Sequence, residues 1–374
     1  MEFKLILKKL NNTLTKAEGE QFEAWISESE THRSYFEKVQ NSYQDTSSVV
    51  DIRKGWERIN SKIKSPKGVS TYWKYAAAAV IILLLTLPFV IPTETPVDTT
   101  APQVVEESIT IGTDKATLTL EDGTKVALEK GKAYTTQALT SNGQQLVYAA
   151  NKDANGQIKQ NTLTIPRGGQ FYLVLADGTK VWLNSDTELK YPVDFGPDSP
   201  RKVELVYGEA YFEVSPSIQN NGTHFLVATQ GQEVDVLGTE FNIKAFREDT
   251  FIETTLVNGK VAIKDGNSIN NLSPGLQSKI NKTTREIRIA ATDVSNVISW
   301  KDGLFSFKNM PLEEIMKVLS RWYDVDVKIM DGAKGKITFN GVFNRNQELK
   351  NILSIIENTN EAKFKTQGKT IMVE

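Results

Sequence analysis

Chemistry has few places to happen in this 374-residue chain. There is no cysteine, which removes disulfides, thiol catalysis and cysteine-ligated zinc. His32 and His224 are the only histidines, and neither has an evident catalytic partner. A two-histidine metal site and histidine acid–base catalysis are therefore not expected. Asp122, Asp177 and Asp235 border strand-like runs, but nothing pairs them with a base or nucleophile. They read as turn and edge residues. With no Gly-x-Ser-x-Gly either, the sequence predicts no enzyme, no cofactor and no metal.

The elements around these residues say more. Tyr75–Ile91 is 17 residues without a charge, the low end of the roughly 17–25 that span a hydrocarbon core. Lys62, Lys64, Lys67 and Lys74 precede it, and Glu94, Asp98, Glu106 and Glu107 follow. Tyr72, Trp73, Lys74 and Tyr75 form a cluster suited to the membrane interface. These features predict a single transmembrane helix over 72–92, with the amino terminus cytoplasmic and residues after 92 on the other side. Residues 1–74 hold 13 Lys+Arg against 10 Asp+Glu, and the remainder 31 against 36. Neither part is basic enough to make nucleic acid a direct partner.

Residues 1–64 read as a small all-α domain. Phe3, Ile6, Leu7, Leu10 and Leu14 form one helical stripe, and Thr15 with Glu18 makes a capping box before a second helix. Phe22, Trp25 and Ile26 lie on that helix, Phe36, Val39 and Tyr43 on a third, and Ile52, Trp56, Ile59 and Ile63 on a fourth. So short a domain gains stability by docking on a partner. Trp25, Tyr35, Phe36, Ile52, Trp56 and Ile59 are its candidate partner-binding residues. Burial in the head's own core is the commoner role for such aromatics. The fourth stripe, set apart by Gln44–Ser48, is the best partner-facing surface.

Residues 93–107, rich in Pro, Thr and acids, read as a linker. Residues 108–292 read as an all-β domain, sandwich or solenoid. Within it, Leu118-Thr-Leu-Glu-Asp-Gly-Thr-Lys-Val-Ala-Leu128 recurs as Leu173-Val-Leu-Ala-Asp-Gly-Thr-Lys-Val-Trp-Leu183, two hairpins around Asp-Gly turns. Lys202–Tyr207 and Glu209–Val214 read as separate strands. Residues 300–374 read as an α+β domain of order β-α-β-β-α-β-β, with Asn309 capping a helix that has Pro311 in its first turn. An exposed strand edge in such a domain can be extended by a partner.

Several segments resemble one family. Thr164-Ile-Pro-Arg-Gly-Gly-Gln-Phe-Tyr-Leu-Val-Leu-Ala-Asp-Gly-Thr-Lys-Val-Trp-Leu-Asn184, Gly208-Glu-Ala-Tyr-Phe-Glu-Val214 and Val236-Leu-Gly-Thr-Glu-Phe-Asn-Ile243 are similar to FecR-type transmembrane anti-sigma factors. Pro311-Leu-Glu-Glu-Ile and Leu319-Ser-Arg-Trp-Tyr-Asp324 resemble the carboxy-terminal domain of that family's long branch, similar to the short amino-terminal domain of secretins and TonB-dependent receptors. The resemblance implies an inner-membrane protein with a cytoplasmic anti-sigma head and a periplasmic FecR-like domain. Its implied partners are an extracytoplasmic-function sigma factor, the signalling domain of a TonB-dependent outer-membrane receptor, and intramembrane and periplasmic proteases. It also marks Gly238-Thr239 for self-cleavage, in which the threonine hydroxyl attacks the preceding carbonyl. A bend between strands is the plainer reading of that dipeptide. The alternative function is a membrane-anchored glycan- or cell-wall-binding module, for which Trp182 and Tyr191 would stack on sugars.

Overall fold

Thr15 and Glu18 set the first described helix. The Thr15 amide donates to Glu18 Oε2 at 3.0 Å, and the Glu18 amide to Thr15 Oγ1 at 3.4 Å. Helix α1, Lys16–Glu28, follows from this cap. In this computed structural model the described residues are Lys9, 14–28, Arg33, Phe36, 109–148, 159–196, 199–266 and 268–374. They belong to two compact units, Met1–Ala101 and Pro102–Glu374.

The expected fold class needs correction. The described chain is mainly β, and neither an all-α head domain nor a membrane-crossing helix stands among its elements. In the first unit, Phe22 and Trp25 of α1 are buried against Leu14, Ile26 and Phe36. Among the described residues no helix is long and apolar enough to cross a membrane. Tyr35, Ile52, Trp56, Ile59, Tyr72, Trp73, Lys74 and Tyr75 lie outside the described residues, as do the expected span 72–92 and linker 93–107.

The second unit begins with strands laid down by apolar alternation. In chain order they are β1 Thr113–Thr119, β2 Lys125–Glu129, β3 Tyr134–Thr135, β4 Leu139–Ser141, β5 Gln145–Tyr148 and β6 Gln160–Ile165. Next come β7 Gly169–Val174, β8 Lys180–Leu183, β9 Thr187–Pro192, β10 Arg201–Glu213, β11 Phe225–Thr229 and β12 Gln232–Val236. The last are β13 Glu240–Ala245, β14 Phe251–Asn258, β15 Val261–Asp265, β16 Ser268–Leu272, β17 Leu276–Asn281 and β18 Ile287–Ala291. One layer runs β2-β1-β6-β9-β10-β11-β12-β15-β16. The other runs β3-β4-β5-β7-β8-β10-β13-β14-β17-β18. Alternate residues of both layers share one core, including Leu118, Leu163, Leu189, Phe212, Phe241 and Ile263. Each such side chain contributes about 1.5–3 kcal/mol by leaving water. From β11 onward the chain places one hairpin in each layer by turns. The result is a two-layer sandwich wound in the stepwise manner of a solenoid.

The two expected strands 202–207 and 209–214 are one. β10 pairs with β9 and β11 through its first half, then with β8 and β13 through its second. Gly208, at φ 104°, makes the crossing. A Cβ there would sit 2.4 Å from Thr187 Cα, so only glycine fits.

The repeated hairpins form β1-β2 and β7-β8. In both, the glycine amide closes a turn (Gly123 to Leu120 O, Gly178 to Leu175 O, each 2.9 Å). Only the glycines carry positive φ, 84° and 82°. Asp122 and Asp177 instead cap the turn, each accepting from the threonine amide two residues on, at 2.8 and 3.0 Å. The motif is therefore an aspartate-capped turn with a glycine bulge, not a two-residue turn with both residues at positive φ.

Helix α2, Val294–Ile298, leads through Trp300 to the carboxy-terminal domain. There the elements are β19 Leu304–Pro311, α3 Leu312–Tyr323, β20 Asp326–Ile329, the one-turn α4 Gly332–Gly335, β21 Thr338–Asn344, α5 Leu349–Glu357, β22 Phe364–Gln367 and β23 Thr370–Val373. Its own core includes Leu312, Ile315, Leu319, Trp322, Ile352 and Ile371. Asn309 does not cap α3. It sits at φ 47°, in a bulge of β19 opposite β21, and its amide donates to Asn340 Oδ1 at 2.9 Å.

Candidate functional site

Strict alternation would leave Asn242 facing outward, since Phe241 and Ile243 point into the sandwich core. Yet Asn242 is 1% exposed, and Glu209, on the neighbouring strand, is also buried. Something covers the outer face of the second layer, and that cover is the carboxy-terminal domain with its connecting turn. Trp300 Nε1 donates to Asn242 Oδ1 at 3.3 Å. Asn242 Nδ2 donates to Glu209 Oε1 at 3.0 Å, and Asn184 Nδ2 to Glu209 Oε2 at 2.8 Å. Arg345 Nη2 donates to Asn184 Oδ1 at 2.9 Å, and its Nη1 to the Trp300 carbonyl at 3.1 Å. Five residues thus form a ring of hydrogen bonds across the junction, closed through the Trp300 carbonyl.

Local structure fixes each member. Asn184 ends β8, and its Oδ1 also accepts the Ser185 amide at 2.9 Å, which sets the amide's orientation. Glu209 follows the Gly208 crossing, where its amide donates to Thr187 Oγ1 at 3.0 Å. Arg345 follows β21, and its guanidinium lies 3.7 Å from the centre of the Trp322 ring. Burial lowers the Arg345 pKa to about 10, which leaves it charged at neutral pH. Glu209 is pushed above the usual carboxylate value of 4.5 by burial, against the opposing pull of Lys244, Asn184 and Asn242.

That shift has a measurable consequence. A carboxyl whose folded pKa is raised binds its proton more readily folded than unfolded, so stability falls as pH rises from the unfolded value through the raised one. Over that window the wild-type unfolding free energy is expected to decline more steeply with pH than that of Glu209→Gln. Denaturation at several pH values checks this, and equal slopes would reject a buried ionisable Glu209.

Two further contacts flank the ring. Arg321 of α3 is paired with Glu248 and with Asp249, the latter at 3.1 Å, and lies 3.5 Å from the Phe246 ring centre. Arg167, in the turn before β7, donates to Asp326 Oδ1 at 3.0 Å, to the Ser320 carbonyl at 3.2 Å and to the Val325 carbonyl. A cleft of about 510 Å³ opens beside the ring, lined by residues including Lys244, Phe246, Asp249, Phe305, Phe307 and Arg321. Its charges are largely matched, with Lys244 and Arg321 on Asp249, Lys279 on Glu253 and Lys317 on Glu314. Among the described residues no His/Asp/Glu cluster could hold a metal ion.

The residues singled out by sequence lie elsewhere. Trp25 and Phe36 belong to the small α1 cluster. Gly238-Thr239 links β12 in one layer to β13 in the other, a bend with Gly238 at φ 148°. Thr239 is 4% exposed and its hydroxyl donates to the Lys260 carbonyl at 2.9 Å, not to a base. Tyr191 is 1% exposed and its hydroxyl meets that of Tyr148, so it cannot stack on a sugar. Trp182 packs between Tyr172 and Tyr211 with the Lys301 ammonium over its ring. Asp177 is paired with Arg201 at 2.7 Å, both side chains 2% exposed. Asp235 holds His224 at 2.6 Å and Lys264 at 2.8 Å.

The ring was missed because its members carry no periodic signal. Arg345 stands among asparagines in a loop. Asn184, Glu209 and Asn242 appear only as polar letters inside apolar motifs. Those interruptions were the one available cue.

Comparison with known proteins follows the same division. The FecR protein family matches residues 161–262, which hold Asn184, Glu209 and Asn242. The FecR C-terminal family matches 304–373, which hold Arg345. Two crystal structures of a candidate anti-sigma factor from Parabacteroides distasonis, at 1.65 and 2.50 Å, are each 28% identical with a TM-score of 0.52, covering 57% of this chain and 98% of theirs. No curated protein matches the chain. The chain thus carries a FecR domain and a FecR C-terminal domain, joined through the Arg345 ring, and is similar to a candidate anti-sigma factor.

Proposed function

We propose that this protein is a membrane-associated regulator of transcription that sequesters an extracytoplasmic-function sigma factor. In this reading residues before 75 hold the sigma factor, and the 102–374 unit receives the signal from the signalling domain of a TonB-dependent outer-membrane receptor. Intramembrane and periplasmic proteases then release the sigma factor. The observation that carries the reading is the pairing of FecR and FecR C-terminal domains in a chain similar to a candidate anti-sigma factor. The uncharged stretch Tyr75–Ile91, with Tyr72, Trp73, Lys74 and Tyr75 beside it, supports the membrane association. The role is regulatory and not catalytic.

The sigma-facing surface would include the Ile52, Trp56 and Ile59 stripe. Full-length protein in detergent should co-purify with an extracytoplasmic-function sigma factor of the same genome. Trp56→Ala is expected to weaken that binding by about 1–3 kcal/mol if Trp56 is an anchor. Failure to capture any such sigma factor would overturn the reading.

A further inference from the structure

The first described residues of the second unit, 109–112, are held by its last domain. Ile109 and Ile111 precede β1, but they pack against the carboxy-terminal core of Leu312, Leu319 and Trp322, not against the sandwich core. Gly112 lies flush on Trp322, where an added Cβ would stand 2.6 Å from the indole ring. The Thr113 amide donates to the Gly168 carbonyl at 3.0 Å, and the Gly168 amide to the Arg321 carbonyl at 2.7 Å. Arg167, next in the same turn, grips the end of α3 through the Ser320 and Val325 carbonyls. The Pro166-Arg-Gly-Gly169 turn is thus a wedge between the lead-in and α3. It joins β1 in parallel at Thr113 and Gly169.

We infer that residues 109–113 are a concealed cleavage site for an endoprotease that cuts before aliphatic residues, and that the carboxy-terminal domain controls access to it. The segment lies on the covalent path from the sandwich to the amino-terminal unit. A bound substrate backbone must enter a protease as a free strand. Ile109 and Ile111, half-buried, leave the carboxy-terminal core only when that domain lets them go. A partner that draws the carboxy-terminal domain off the sandwich therefore exposes the bond whose loss detaches the body from the head. The regulatory consequence rests on the anti-sigma reading above; the concealment itself does not.

Thermolysin, which cuts before isoleucine, is the probe, applied to the full chain with fragments read by mass. Cleavage of a transiently opened segment tracks its open population when reclosing is fast. Arg167→Gln, which removes the grip on α3, and Gly112→Val, which unseats the lead-in, are each expected to speed cleavage at Ser108–Ile109 and Thr110–Ile111 by about tenfold or more. Cleavage before Ile243, inside the sandwich core, should stay at its wild-type rate, which separates local release from unfolding. Equal rates at Ile109 and Ile111 in wild type and both variants would overturn the inference. So would wild-type cleavage there as fast as in an unfolded control. Neither result would bear on sigma-factor capture.

Discussion

Replacing Arg345 with alanine is expected to lower the unfolding free energy of the 102–374 unit by about 3–5 kcal/mol, the usual cost of stranding one member of a buried charged network. The reason lies in what stays behind. Arg345 is 3% exposed and serves the Trp300 carbonyl, Asn184 and, at 3.4 Å, Gln170. Without it Asn184 Oδ1 keeps only the Ser185 amide, and buried Glu209 loses one of the cations that act with it. The face of Trp322 loses its covering guanidinium as well. Arg345→Lys should recover little, since a single ammonium cannot lie flat on the indole and reach two acceptors in a fork. Denaturant unfolding of the full chain provides the measurement, and an alanine variant within about 1 kcal/mol of wild type would show that the ring adds little to stability.

Asp177→Ala should be nearly as costly, for a related reason at another place. Its partner Arg201 also donates to the carbonyls of Ser215 and Thr223, both at 3.0 Å, so the guanidinium cannot turn to water. A loss of about 3–5 kcal/mol is expected from the stranded charge. Asp122 supplies the control. It holds the same position in the first copy of the repeat and makes the same turn contact, but it is exposed and has no buried arginine. Asp122→Ala should leave the unfolding midpoint nearly in place. Similar losses at both positions would mean that the turn cap, and not the ion pair, carries the stability.

The contrast between these aspartates shows what sequence patterns can reveal. The hairpins, the apolar alternation and the helix stripes of α3 and α5 are local features, and local steric and hydrophobic rules expose them. The β10 crossing was hidden because Gly208 looks like a strand break until Thr187 is placed beside it. The ring was hidden because its members come from positions 184, 209, 242, 300 and 345, and only packing brings them together. An all-α head domain does not stand among the described elements. Stripes such as Phe22, Trp25 and Ile26 show that a helix can bury one face, but not that enough faces meet to build a domain.

The central structural claim is that, without a partner, the FecR sandwich and the carboxy-terminal domain open and close as one cooperative unit held by the Arg345 ring. Native-state hydrogen exchange of the full chain in rising denaturant tests it most directly. The Ile243 amide of β13 and the Leu319 amide of α3 should exchange with the same unfolding free energy and the same denaturant dependence. In Arg345→Ala the two should separate, with Leu319 opening first. If they already differ in the wild-type protein, the two domains are independent and the ring does not couple them.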